Sequence, residues 1–111
     1  MQYSSVVEQG SGYGRKLGFP TANIPLEDDS ISGIYAARVE VDGATYCAAV
    51  FIDAKRQLLE AHLLDFSGDL YGKIVTVTLE KKLRESMQFP DEVKLKQAIA
   101  ADVEAVRAYF A

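Results

Sequence analysis

The chain has 111 residues, of which 49% are hydrophobic and 25% charged, and its formal net charge is −4. This composition is typical of a compact globular protein rather than a disordered or repeat protein, and we expect residues 1–111 to form one domain. The acidic balance opposes the counterion-releasing attraction on which basic nucleic-acid binders depend. The chain is therefore not expected to bind nucleic acid.

Residues 1–8 lack the basic head and apolar stretch of a secretion signal, and no apolar run approaches the roughly 18 residues of a membrane span. One cysteine, Cys47, cannot form an internal disulfide, and with a single histidine it cannot supply the usual ligands of structural zinc. We expect a cytoplasmic, monomeric protein without a membrane partner.

The first notable segment is rich in glycine, with Gly10, Gly12, Gly14 and Gly18 within nine positions. Such a segment lets backbone N–H groups approach an anion closely, although plain turn chemistry also uses glycine. Its spacing does not fit the dinucleotide fingerprint, because Arg15 stands where a glycine is needed, and the Gly-Lys-Ser/Thr of a phosphate loop is absent. The whole stretch from 10 to 32 follows no strand or helix period and predicts a long ordered connection.

The middle of the chain predicts strands separated by short turns. Residues 34–41 alternate in character, Asp42-Gly43 favours a two-residue turn with both residues at positive φ, and 44–52 forms the returning strand. A turn at 53–56 leads to a strand at 58–66, and a turn at 67–69 leads to a strand at 74–83. Consecutive strands without intervening helices favour an antiparallel barrel or sandwich.

The C-terminal stretch has a helical period. Asp91 is a candidate N-cap, and apolar residues then recur at three- and four-residue steps at Leu95, Ala98, Ile99, Val103, Val106 and Phe110. The opposite face carries charged residues, so this pattern predicts a helix on the outside of the sheet with one side in water.

Gly14-Arg15-Lys16-Leu17-Gly18-Phe19-Pro20-Thr21-Ala22-Asn23 resembles the signature of the riboflavin kinase family. Three more segments resemble the family in the same order: 33–36 (Gly-Ile-Tyr-Ala), 59–73 (Leu-Glu-Ala-His-Leu-Leu-Asp-Phe, then Asp-Leu-Tyr-Gly-Lys), and 82–89 (Lys-Leu-Arg-Glu through Phe). The resemblance implies a mainly β fold, a six-stranded antiparallel Greek-key barrel with a C-terminal helix. It also implies ATP-dependent phosphorylation of riboflavin to FMN, with ADP as the second product.

The resemblance further implies residue roles on the nucleotide side. The glycine-rich segment would cover ATP, and Thr21 and Asn23 would bind the phosphate-bound Mg²⁺ or another divalent metal, for which hard oxygen ligands are suitable. The nucleotide-binding set is then Gly12, Gly14, Arg15, Lys16, Gly18, Pro20, Thr21 and Asn23. The structural alternative for Thr21 and Asn23 is loop capping.

Glu60 falls on the family's catalytic base. Strand periodicity puts Leu58, Glu60, His62 and Leu64 on one face, where a carboxylate interrupts an apolar row. Such a carboxylate could accept the proton of the ribityl hydroxyl. The alternative is that Glu60 is an ordinary exposed residue on the barrel exterior. His62 is interpreted as a packed polar residue and not as a catalytic one.

Arg84, Glu85 and Phe89 lie where the family places its flavin-binding loop. An arginine and an aromatic residue could stack on the isoalloxazine ring. In the alternative interpretation, Phe89 packs under the helix start and Arg84 is a solvated charge.

The sequence departs from the family between the second strand of the hairpin and Glu60. Residues 49–56 replace the family's Asn-Ile-Gly and Arg-Pro-Thr segment with a shorter connection, which bears on flavin affinity and specificity. No His-x-Gly-His type signature is present, so FAD synthesis is not expected from this chain. Two rival hypotheses stay open: a flavin- or nucleotide-binding barrel acting as a carrier or sensor, and a structural barrel without a ligand.

Overall fold

The computed structural model of the protein describes residues 1–10 and 12–111, and Ser11, part of the glycine-rich segment, lies outside them. Within these residues the chain forms six strands and two helices. Their bounds are β1 Gln2–Val6, α1 Tyr13–Lys16, β2 Ala22–Pro25, β3 Gly33–Val41, β4 Ala44–Asp53, β5 Leu58–Leu63, β6 Ile74–Arg84 and α2 Glu92–Phe110.

The strands form one antiparallel sheet in the order β1-β6-β3-β4-β5-β2. Strands β3, β4 and β5 follow one another as hairpins, and β6 returns to pair with β3, which is the Greek-key arrangement. The edge strands β1 and β2 then lie side by side, and the Glu8 N–H donates to the Asn23 carbonyl (2.7 Å). The sheet thus curls into a nearly closed barrel, which confirms the predicted fold class.

The turn between β3 and β4 shows why the hairpin was predictable. Asp42 and Gly43 have φ values of 51° and 78°, and Val41 pairs with Ala44 directly across the turn. Both residues thus adopt the left-handed conformation that a two-residue turn of this type requires. The observed strands are each one residue longer than the prediction, beginning at Gly33 and ending at Asp53.

The core of the barrel consists of the inward residues of every strand, and a second, smaller core lies outside it. Helix α2 covers the outer face of β3 and β4, where its Val103 and Val106 pack with Ala36, Ala49 and Leu64. The helix begins as predicted, because the Asp91 side chain accepts a hydrogen bond from the Lys94 N–H (2.8 Å).

Two predictions need correction. The strand predicted to reach residue 66 ends at Leu63, because Asp65 takes a φ of 58° and its carboxylate accepts two hydrogen bonds from Arg107 of α2. The connection predicted from 10 to 32 contains α1 and β2, which are too short to show a period, and β1 before it was not predicted either.

Candidate active site

A cavity of about 560 Å³ opens between the glycine-rich segment, β2 and the turn that follows β5. We call it the loop-side cavity. Its wall is formed by Val7, Glu8, Gln9, Gly10, Gly12, Arg15, Pro20, Thr21, Ala22, Asn23, Ala61, Leu63, Phe66, Ser67, Gly68, Asp69, Leu70 and Tyr71. Most of this wall comes from loops, and its three glycines, Gly10, Gly12 and Gly68, can contribute only main-chain atoms.

Two glycines let the backbone approach the polar side chains of this cavity. A methyl group at Gly10 would overlap the side-chain amide of Asn23, and one at Gly14 would lie 2.5 Å from the Phe19 carbonyl oxygen. The Phe19 N–H also donates to the Gly14 carbonyl (2.7 Å), which folds the chain back after α1. Glycine at these positions therefore places residues 19–21 and Asn23 beside the segment.

A second cavity, of about 240 Å³, lies between the outer face of the barrel, α1 and the start of α2. We call it the helix-side cavity. Its wall is formed by Tyr13, Gly14, Leu17, Phe19, Thr21, Ile34, Phe51, Arg56, Glu60, Arg84, Ser86, Met87, Phe89, Leu95 and Ile99. Many of these residues are apolar, and they come from segments that range from Tyr13 to Ile99.

Thr21 lines both cavities, and its hydroxyl donates to the Glu60 carboxylate, with 3.3 Å between Oγ1 and Oε1. Asn23 stands directly opposite Glu60 in the pairing of β2 with β5, and it is buried. The pairing of β2 with β5 thus brings Glu60 beside Asn23 and beside Thr21, which lies 39 positions earlier in the sequence. This junction is the place where a group could pass from a ligand in one cavity to a ligand in the other.

Glu60 points outward from the barrel, in contrast to the apolar residues on either side of it. Leu59, Ala61 and Leu63 belong to the barrel core, so the apolar row of β5 is not the one that holds Glu60. The face of Glu60 is nevertheless covered, and this burial raises the pKa of the carboxyl group above its usual value. The Thr21 hydrogen bond and the charge of Arg56 act in the opposite direction, while Asp53 adds to the rise.

His62 holds the glycine-rich segment in place and does not approach Glu60 in a hydrogen bond. Its Nδ1 lies 2.8 Å from the Pro20 carbonyl oxygen, and its ring meets that of Phe19 edge to face with 5.5 Å between centroids. The interpretation of His62 as a packed polar residue agrees with these contacts.

Arg84 is held by an ion pair that the sequence analysis missed. Its Nε and one terminal nitrogen each lie 2.8 Å from an oxygen of Asp102, and the side chain of Asp102 is only 6% exposed. The guanidinium also lies over the ring of Phe89, 5.8 Å from the centroid. The alternative interpretation of Arg84 as a solvated charge is therefore wrong. Asp102 could have been noticed as an acidic residue three positions after Ile99, within the apolar stripe.

The predicted site residues fall into three groups. Five of the residues predicted to bind nucleotide line the loop-side cavity: Gly12, Arg15, Pro20, Thr21 and Asn23. Gly14 instead lines the helix-side cavity with Glu60, Arg84 and Phe89. Lys16, Gly18 and Glu85 line neither cavity. Glu85 instead pairs with Lys82.

The chemistry of Thr21 and Asn23 fits a phosphate-bound magnesium ion. Both side chains offer neutral oxygen donors, and such an ion typically takes few protein ligands and fills its shell with water and phosphate oxygens. Among residues 1–10 and 12–111, no three His, Cys, Asp or Glu side chains cluster as a metal site of their own. Neither helix in this part of the chain has the length and apolar character needed to cross a bilayer.

Sequence comparison identifies the family to which the chain belongs. The family model described as "Flavokinase: Riboflavin kinase" matches residues 1–110. A bifunctional riboflavin kinase/FMN adenylyltransferase from Pseudomonas fluorescens is 40% identical over 114 residues, which cover 95% of this chain and 37% of that protein. The Haemophilus influenzae enzyme of the same description is 40% identical over 113 residues, covering 94% of this chain and 37% of the relative. The chain spans little more than a third of the length of these relatives.

Solved structures show the same fold. A riboflavin kinase from Trypanosoma brucei superimposes with a TM-score of 0.68 at 27% identity, covering 97% of this chain and 78% of that one. A Streptococcus pneumoniae protein described as a macrolide-efflux protein superimposes with a TM-score of 0.83 at 28% identity, covering 96% of this chain and 38% of that one. The match of the family model over residues 1–110 and the 40% identity to bifunctional enzymes lead to one conclusion: the chain belongs to the riboflavin kinase (flavokinase) family.

Proposed function

We propose that this chain is an ATP-dependent riboflavin kinase that transfers the γ-phosphoryl group of ATP to the ribityl 5′-hydroxyl of riboflavin, giving FMN and ADP. The observation that carries the proposal is the hydrogen bond between Thr21 and Glu60 at the junction of the two cavities. A transfer reaction between two bound substrates needs a shared boundary of this kind.

ATP is the proposed ligand of the loop-side cavity. Gly12, Arg15 and Pro20 line the cavity beside Thr21 and Asn23, so main-chain groups and one cation face the phosphates. A divalent metal, Mg²⁺ in the first instance, would be held by Thr21 and Asn23 and would neutralise charge on the phosphate oxygens. In this arrangement Gly10 acts as a spacer that lets the Asn23 side chain keep its place.

On the helix-side, riboflavin is the proposed ligand. Phe51, Met87 and Phe89 supply apolar surface for the ring system, and Arg84 supplies a cation held over Phe89. Glu60 then faces the ribityl end, where its carboxylate accepts the proton of the 5′-hydroxyl as that oxygen attacks the γ-phosphorus and ADP leaves. The raised pKa brings Glu60 closer to the range in which a base works well.

The experiment that tests this proposal follows ADP and FMN together. Purified protein is incubated with ATP and Mg²⁺, with and without riboflavin, and then with riboflavin but without metal. ADP and FMN should appear in equal amounts, and only when all three are supplied. Binding of riboflavin without FMN formation would instead support a carrier or sensor, and a lack of any thermal shift with Mg-ADP would favour a structural barrel.

We also propose that residues 1–111 form one domain, and that the protein acts as a monomer in the cytoplasm without a nucleic-acid or membrane partner. The net charge of −4 and the single cysteine support this proposal. Light scattering coupled to size exclusion, with Mg-ADP and riboflavin present, tests the monomer directly.

A further inference from the structure

The segment between β6 and α2 forms one wall of the helix-side cavity, but its main chain has little support. Within residues 1–10 and 12–111, no main-chain hydrogen bond outside the helices and strands involves residues 85–90. Ser86, Met87 and Phe89 of this segment nevertheless line the cavity. Side chains must therefore hold the segment in the position where it completes the cavity wall.

Arg84 makes the contacts that can do this. One terminal nitrogen donates to the Glu85 carbonyl (3.1 Å), and the central guanidinium carbon lies 5.8 Å from the centroid of the Phe89 ring. The backbone of Arg84 packs closely against Gly33 as well. A methyl group on Gly33 would lie 2.6 Å from the Arg84 carbonyl oxygen. Arg84 thus touches both the beginning of the segment and its aromatic residue.

The orientation of Arg84 is in turn set from α2. Asp102 accepts two parallel hydrogen bonds from its guanidinium, a geometry that allows one orientation of the planar group. No other hydrogen-bond partner is recorded for the Asp102 carboxylate in the described part of the chain, although it is buried. A buried ion pair is weak support for stability, because desolvation of the two charges offsets their attraction, so this pair is more readily explained by what it orients.

We propose that Asp102 is a positioning residue for the flavin: through Arg84 it holds Phe89 and the 85–90 segment against the helix-side cavity. This inference rests on the proposed function, which places riboflavin in that cavity. The ligand chemistry is a planar aromatic ring system, which stacks on the platform that Arg84 and Phe89 form together. Asp102 itself does not line the cavity and acts only through Arg84.

The test is a double-mutant cycle on riboflavin affinity, measured by flavin fluorescence in the presence of Mg-ADP. Asp102→Asn and Phe89→Leu should each raise the riboflavin Kd about tenfold, the loss expected when a stacking contact is removed. The riboflavin Kd of the combined variant should also rise about tenfold rather than a hundredfold, because both changes remove the same contact. The Kd of Mg-ADP should stay within about twofold of the parent value in all three.

A second pair of variants covers the case in which Asp102→Asn does not fold. Arg84→Met with Asp102→Leu replaces both charges by apolar groups and should fold as well as the parent, yet bind riboflavin at least tenfold more weakly. Arg84→Lys keeps the positive charge but cannot donate two parallel hydrogen bonds to Asp102, so it should behave like Asp102→Asn.

The outcomes separate the two proposals. Two results would overturn the role of Asp102 and leave the proposed function standing. One is a hundredfold rise in the riboflavin Kd of the combined Asp102→Asn, Phe89→Leu variant. The other is parent-like riboflavin affinity in the Arg84→Met, Asp102→Leu variant. A parent protein that binds Mg-ADP but not riboflavin overturns the proposed function, and the role of Asp102 with it.

Discussion

The two cavities that meet at Thr21 are built in different ways. The loop-side cavity takes most of its wall from loops, namely the glycine-rich segment before β2 and the turn that follows β5. The helix-side cavity takes its shape from side chains that range from Tyr13 to Ile99. Phosphate binding relies on main-chain groups, which a local sequence can arrange, whereas an aromatic ligand needs a surface that distant elements assemble.

Because of this difference, we expect substitutions in the two cavities to have separate effects. A change on the loop side should alter the use of Mg-ATP and leave flavin binding intact, and a change on the helix side should do the reverse. Only a change at the junction should impair transfer while both ligands still bind.

The largest effect is expected for Glu60→Gln at the junction. Glutamine keeps the shape of the side chain but cannot accept a proton, so kcat should fall by about a hundredfold, the low end for loss of a general base in a loose phosphoryl transfer. The dissociation constants of riboflavin and Mg-ADP should change much less. A near-native kcat in steady-state assays would show that another group takes the proton.

The same variant has an expected effect on stability. Burial raises the pKa of Glu60, and a carboxyl group with a raised folded-state pKa contributes stability at low pH that is lost as the pH rises through that pKa. Above that pKa the ionised group is therefore destabilising, and Glu60→Gln should there melt at the same temperature as the parent or higher. This difference should vanish in acid, below the pKa of an unfolded glutamate. A lower melting temperature above that pKa would contradict the assigned cause.

The next effect in size is expected for Thr21→Ala. Losing the hydroxyl removes a proposed metal ligand and a hydrogen bond to a charged group, so kcat/KM for Mg-ATP should fall roughly 30-fold. Thr21→Ser keeps the oxygen and is the matched control. An alanine variant with full activity and an unchanged metal requirement would exclude Thr21 from the site.

A smaller effect, about tenfold on the KM of Mg-ATP, is expected for Gly10→Ala, because the added methyl group displaces the Asn23 amide. Riboflavin affinity should not change. Gly43→Ala is the control: it lies in the β3–β4 turn at a φ of 78° with open space around it, so it should lower stability without altering either ligand. If both substitutions raised the KM of Mg-ATP equally, the spacer role of Gly10 would be refuted.

The smallest effect is expected for Arg56→Met on the helix side. The positive charge of Arg56 lowers the pKa of Glu60, so its removal should move the acid limb of the pH dependence of kcat to higher pH by less than one unit. Arg56 also pairs with Asp53 (3.8 Å), whose charge raises the pKa of Glu60, so freeing Asp53 should shift the profile in the same direction. Arg84 of this cavity is paired with Asp102 and stays constant in the comparison. Lys55→Met, next in sequence but outside the cavity wall, should leave the profile in place.

Much of the fold could be predicted because it depends on local patterns. The Asp42-Gly43 turn, the alternation in β3, β4 and β6, and the capped amphipathic helix each need only neighbouring residues to specify them. Strands β1 and β2 escaped prediction because four or five residues show no clear period, and they are held by pairing with β6 and β5.

The sequence by itself determined the family motif, the strand-rich middle, the helix and the identity of the polar residues proposed for the junction. Only the tertiary structure decided that Glu60 faces outward into a covered cavity, that Gly14 serves the helix side, and that Asp102 orients Arg84 across 18 positions. These facts depend on which strands pair and on where α2 lies on the barrel. Side-chain contacts between distant elements follow from that packing, and no local period of the sequence records them.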